Sequence, residues 1–313
     1  MTFSPTSANK ATSRGGATKP RRRRGLPPRL NARMECDTAF RTVARRYLGD
    51  LTANHEATCN GDADALHQMR VALTRLRTAI LFFSPMVADS ERTQIRDELK
   101  WLNGHLGVVR DFDVAIERLK LLDKQAPRAI PYYRSWMAKR ADGHRSLARA
   151  LRSVRYRHLI ESTSDWVENG PWSTARGKQA VDAQTCRVAD YSADKLTQWL
   201  EKLLKRSRRL SRMDAEKRHR LRLLNKKLSY SIEAFEDLSS DDRFLRLQAS
   251  LKYLRKAQRI LGQLNDDARG HALAAAMQQD GIHAPFHFLS PKRQKHLLRD
   301  AAEAYRKLAA LKQ

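Results

Sequence analysis

The chain has 313 residues, of which 41% are apolar and 30% charged, the balance of a globular protein rather than a disordered one. Sixty-one lysines and arginines stand against 34 aspartates and glutamates, leaving a net charge of +27. Such a surplus repels itself in a compact state and points to an anionic partner.

In chain order, residues 1–34 come first, with nine basic side chains, no acid, and the run Arg21-Arg22-Arg23-Arg24 before Pro27 and Pro28. This composition cannot bury enough apolar surface to offset chain entropy, so it predicts a disordered basic arm. An electrostatic arm for a polyanion, an inert tail and an organellar presequence are all compatible with it, although Pro20, Pro27 and Pro28 spoil the amphipathic helix of the last. From Glu35 on, apolar spacing is helical almost throughout, and predicts helices near 35–53, 63–84, 89–106, 111–124, 130–152 and 155–168. Asn169-Gly170-Pro171 then opens a break to about 183. A second set follows near 187–210, 214–237, 242–261, 266–280 and 290–312, with Ser290-Pro291 as an N-cap and N1 proline. The expectation is an all-α domain over 35–313, in two halves at about 35–168 and 184–313 joined by a linker at 169–183.

No stretch reaches the roughly 18 apolar residues of a membrane span, and the start lacks the apolar region of a signal peptide. Cys36, Cys59 and Cys186 are scattered, form no CxxC pair, and read as ordinary reduced thiols of a cytoplasmic protein.

The halves repeat one another. Leu66–Phe83 aligns with Arg218–Phe235 at an offset of 152, placing His67 on His219, Arg70 on Arg222, Arg75 on Lys227 and Phe83 on Phe235. Leu99–Asp111 aligns with Leu254–Asp266 at an offset of 155, placing Lys100 on Arg255, Gly107 on Gly262 and Asp111 on Asp266. In the first copy Met69, Leu73, Leu76, Ile80 and Phe83 form an apolar stripe. His67, Arg70, Thr74 and Arg77 form a second stripe flanking it, matched later by His219, Arg222, Lys226 and Ser229. Asn225 stands in the second core stripe where the first has Leu73. A cationic stripe beside a buried face is costly unless an anion or carboxylate meets it. Internal salt bridges are one solution, but acids are scarce: Lys202–Lys227 holds twelve basic residues against Asp214 and Glu216. Guanidinium forks and lysine charge suit phosphate oxygens.

The motifs HxxRVxxxRLR and LGxxRDxDV in the first half, with HRLRxxxKKL and LGxLND in the second, resemble the CHAD domain, the conserved histidine α-helical domain, over about residues 35–313. The resemblance implies two antiparallel four-helix bundles with pseudo-twofold symmetry. It further implies a central basic groove for inorganic polyphosphate and an association with polyphosphate granules. By matching position, the implied contacts are His67, Arg70, Arg75, Arg77, Lys100, His219, Arg222, Lys226, Lys227 and Arg255. Thr74 and Ser229 stand where family members commonly carry arginine, which would remove a charge from the groove at each.

Asp111 and Asp266 are expected to cap a helix or orient a groove arginine, and Gly107 and Gly262 to end helices at positive φ. No nucleophile, metal cluster, phosphate loop or paired acid and base stands out, so no catalysis and no cofactor are expected. His283 and His287 are four apart, but Pro285 between them argues against a helical metal pair. The alternative to polyphosphate is RNA or DNA, since any polyanion is drawn to this charge. Single-strand readers generally display stacking aromatics. Here aromatics are 7% of the chain, and Phe83 and Phe235 fall in core stripes.

Overall fold

A computed structural model describes residues 29–122, 133–174, 178–238, 242–281 and 289–311. Most of the predicted basic arm, the break expected between the helices at 111–124 and 130–152, and the His283–His287 pair lie outside these residues. The described chain is all-α, with no β-strand among the described residues and a lone antiparallel bridge between Glu35 and Arg187.

The helices are α1 (Cys36–Ala53), α2 (His55–Cys59), α3 (Ala63–Phe82), α4 (Glu91–Leu122), α5 (Tyr133–Arg152), α6 (Val154–Asn169), α7 (Lys178–Thr185), α8 (Val188–Ser207), α9 (Ala215–Ala234), α10 (Asp242–Gln279) and α11 (Pro291–Ala310). Helix starts follow the capping signals. Asp62 accepts from the backbone of Asp64 and Ala65 at the head of α3, Asp214 from Lys217 at the head of α9, and Ser290 from Arg293 ahead of Pro291. Asp89 closes the α3–α4 connection by accepting from Trp166 Nε1 at 2.9 Å and the Trp172 backbone at 3.1 Å.

Two expectations are corrected. The helices predicted at 89–106 and 111–124 are one helix, α4, and those at 242–261 and 266–280 are one helix, α10. The LG…RD and LG…ND blocks therefore lie inside helices and cap nothing. Gly107 and Gly262 are helical; among the described residues the positive-φ glycines are Gly61 and Gly281. The 169–183 break is real at Gly170, but it carries a 3-10 turn at Pro171–Thr174 and the start of α7.

Packing follows the repeat. Helix α3 lies between α1 and α4, with α5 and α6 beyond, while α9 lies between α8 and α10, with α11 beyond. The predicted stripe Met69, Leu73, Leu76, Ile80 and Phe83 is buried, and the main apolar core runs without interruption through both halves. A smaller cluster of Ala115, Ile116, Trp136 and Met277 joins the far parts of α4, α5 and α10. The halves meet where α3 crosses α9, with Phe82 and Phe235 ring centroids 5.0 Å apart and Phe83 and Phe235 6.1 Å apart. On the same side, where Tyr191 stacks on Phe83 and neighbours both thiols, Cys36 N donates to Cys186 O at 3.0 Å and Val188 N donates to Met34 O at 2.8 Å. Adding 152 to one member and subtracting it from the other converts each bond into the other, so the joint has local twofold character.

Candidate functional site: a desolvated cation cluster at the helix crossing

Because α3 and α9 cross with their cationic stripes on the same side, charges from both halves are brought together. Lys226 is the centre. Burial, followed by the nearby charges of Arg222, Arg70 and Arg75, pushes its ammonium down to about 8 from an ordinary 10.5. Its Nζ also lies 5.3 Å from the Tyr230 ring. Burial likewise lowers Arg70, with Arg269, Arg110 and Arg222 acting against its charge and Asp111 for it. Arg222 is lowered by burial and by Arg269, with Asp266 opposing. His67, open to solvent on one side, is lowered first by its partial desolvation and then by Arg110, Lys226 and Arg70. Each shift has one sign: the site disfavours its own positive charge.

Several donors here are unmet. Arg70 Nη1, Arg75 Nε and Arg222 Nε are buried and donate to no protein acceptor. A buried, unpaired donor on a charged group is costly, and an anion relieves it.

Internal acids neutralise only the margins. Asp111 accepts from Arg269 Nη1 at 2.7 Å across the α4–α10 contact. Burial lifts the Asp111 carboxyl above its ordinary range, with Arg269 and Arg70 opposing and Asp266 reinforcing the rise. Glu233 pairs with Arg75 at 3.2 Å and with Arg255 at 2.9 Å, so one carboxylate serves two predicted contacts. Arg75 also lies over the Tyr230 ring at 5.1 Å.

One of the two helical glycines has a steric role. A Cβ on Gly107 would stand 3.4 Å from Arg70 Nη1, and one on Gly262 would stand 4.0 Å from Arg222 Nε. The missing side chain at Gly107 leaves room for Arg70 against α4, whereas Arg222 would be in ordinary contact with a Cβ at Gly262.

The ten sequence-predicted residues thus divide. His67, Arg70, Arg222 and Lys226 form the central cluster, and Arg75 joins it to Glu233 and Arg255. Arg77 and Lys227 lie together in a separate group: burial lowers Lys227, then Arg77 and Lys202 lower it further. His219 is occupied by a hydrogen bond between its Nδ1 and Asn265 Oδ1. Lys100 stands exposed on α4 and has no ion-pair partner among the described residues. Ser229, expected on the cationic stripe, is buried and donates to Asn225 O at 3.0 Å. Asp113, the acid without a counterpart in the second half, is a buried structural anion, held by Arg140 Nε at 2.6 Å and 3.3 Å from His144 Nε2. Sequence reasoning missed Arg110 and Arg269 as members of the cluster. Arg110 stands in the quoted RD motif, whereas Arg269 has no basic counterpart in the repeat, where Val114 stands.

A family model for the CHAD domain matches residues 42–275. The chain belongs to the CHAD domain family. Among solved structures, the CHAD domain from the plant Ricinus communis is similar at 25% identity, over 92% of this chain and 91% of that one, with a TM-score of 0.69. PptA from Streptomyces chartreusis shares the fold at 16% identity, over 89% of this chain and 97% of that one, with a TM-score of 0.52. No curated protein matches the chain by sequence. The cation cluster of this CHAD protein falls inside the matched residues. No helix among the described residues is long and apolar enough to cross a membrane, and they contain no group of three or more potential metal ligands.

Proposed function

We propose that this CHAD protein binds inorganic polyphosphate, without chemistry, along the cationic seam between α3 and α9. The observation that carries the reading is the convergence of Arg70, Arg222 and Lys226, all desolvated, with donors at Arg70 Nη1 and Arg222 Nε that no protein group satisfies. A chain of phosphates supplies closely spaced acceptor oxygens to such forks. Membership in the family agrees, since the motifs that identify it are those that imply polyphosphate. Residence at polyphosphate granules in the cytoplasm follows from the same reading.

Nucleic acid is the second reading, because counterion release favours any polyanion here. The disposition of aromatics weighs against it. No aromatic side chain among the described residues is highly exposed, and Phe82, Phe83, Phe235 and three tryptophans are fully buried. A stacking platform for bases is therefore lacking among them.

A competition titration of long polyphosphate against RNA and heparin tests the assignment. Polyphosphate should displace both at concentrations that neither matches in reverse; equal displacement by all three would reduce the site to a non-specific polyanion surface. Removing residues 1–34 should keep most of the affinity, whereas Arg70→Glu with Arg222→Glu should lower it by at least a hundredfold. The reverse pattern would place binding in the arm. Imaging of a fluorescent fusion in cells unable to make the polymer tests the granule assignment, and foci that persist there would refute it.

A further inference from the structure

Cys36 and Cys186 are 150 residues apart, yet their sulfurs lie 3.0 Å from one another. The approach is built by backbone. Glu35 and Arg187 form an antiparallel bridge, so Cys36 and Cys186 stand directly opposite one another, joined by the bond from Cys36 N to Cys186 O. Cys186 N is itself bonded to Asp182 O, so the pair shares one backbone bond, and the 3.0 Å between the sulfurs leaves only about 1 Å to close to a disulfide. The two sulfurs differ in access: Cys36 is fully buried at the first residue of α1, while Cys186 is only half-buried just before α8. Cys59, the third thiol, lies on α2 with its Sγ 3.8 Å from His55 Nε2, apart from this pair.

We infer that Cys36 and Cys186 are an oxidative cross-linking site, at which a disulfide clamps the start of α1 to the start of α8 and so ties the two halves together. The co-reactant is a low-molecular-weight disulfide. The accessible Cys186 thiolate attacks one sulfur of that reagent, breaking its S–S bond and expelling one thiolate. Cys36 then loses its proton and attacks the Cys186 sulfur of the mixed disulfide, expelling the second thiolate. Two protein thiols are oxidised and one small disulfide is reduced to two small thiols. Burial raises Cys36 far above the ordinary thiol range, which assigns it the resolving rather than the attacking role.

The test treats the full chain with oxidised glutathione under native conditions, quenches with an alkylating reagent, and digests without reductant. The expected result is one cross-linked peptide pair containing Cys36 and Cys186, with Cys59 alkylated and the intact chain, sampled before alkylation, lighter by two hydrogens. Cys59→Ala should form the bridge as readily as the parent. Cys186→Ser should form none, and after the same treatment should unfold at a lower temperature than the bridged parent. Alkylation of both Cys36 and Cys186, a bridge through Cys59, or a glutathione adduct persisting on Cys186 would overturn the site. Equal unfolding temperatures for the bridged parent and the serine variant would overturn the clamp.

Discussion

Lys226 is held at about 8 by burial and by three arginines, and this gives binding a proton linkage. An anion placed against it favours the ammonium and raises its pKa, so the complex takes up a proton as it forms above pH 8. Polyphosphate affinity should therefore fall as pH rises from about 8 towards 10, approaching tenfold per unit at most. Lys226→Arg, which stays charged, should flatten that slope in titrations across the same range; an unchanged slope would assign the linkage elsewhere. For the free protein the sign is opposite. The folded value lies below the unfolded 10.5, so charging Lys226 opposes folding, and stability should rise as pH passes from about 8 to 10.5. Asn225 shows a different exchange at the same scale. It replaces an apolar member of the core stripe, but its Nδ2 donates to Leu254 O at 3.0 Å and its Oδ1 accepts from the Tyr305 hydroxyl at 3.2 Å. Asn225→Leu restores the apolar pattern and strands the buried Tyr305 hydroxyl. Denaturant unfolding should show a loss of about 1–3 kcal/mol rather than a gain.

Among the helices, α4 and α10 carry the main lesson about what sequence discloses. Glycine costs about 1 kcal/mol relative to alanine inside a helix, which is why Gly107 and Gly262 read as ends. Tertiary packing of both helices outweighs that cost, and Gly107 gives room to Arg70 of α3 instead. Gly107→Ala and Gly262→Ala should both gain helix propensity, yet differ in binding. The 3.4 Å contact at Gly107 makes the Arg70 guanidinium give by a few tenths of an ångström, whereas 4.0 Å at Gly262 is ordinary contact with Arg222. Polyphosphate affinity should drop several-fold in the first variant and hold in the second, with thermal unfolding run alongside; equal affinities would deny the glycine its steric role. The order of helices, their caps at Ser290 and the paired stripes of α3 and α9 were legible, because 3.6-residue spacing records which side chains share a face. Spacing does not record what that face meets. Arg75 and Arg77 sit two residues apart, on different sides of α3, and the fold sends one to Glu233 and the other towards Lys227. Arg269 reaches the site from a helix that the sequence reading divided in two, so no pattern within one segment could connect it to Asp111.

At the scale of the whole molecule, the surplus of positive charge is organised rather than merely abundant. Some lysines and arginines outside the seam pair with acids at the surface, as Arg155 does with Glu98 and Arg243 with Asp190. Such exposed pairs contribute little to stability. Buried cations with unmet donors gather at the crossing of α3 and α9, so ligand occupancy should stabilise the entire fold by mass action. Long polyphosphate should raise the thermal unfolding midpoint of the parent but not of the Arg70→Glu, Arg222→Glu double variant. A like rise in both would move the linkage away from the seam. The reciprocal bonds that join Cys36 to Cys186 and Val188 to Met34 bear on the polymer itself. That joint is nearly unchanged when its halves are exchanged, although the seam's side chains are not, Thr74 standing where the second half has Lys226. Polyphosphate is a strand without direction, identical read from either end, whereas a nucleic acid strand has a 5′ and a 3′ sense and offers different atoms each way. On the proposed function, the phosphate polymer presents the same oxygens to the seam whichever end leads, while a nucleic acid strand must present different atoms to α3 and to α9 in either sense.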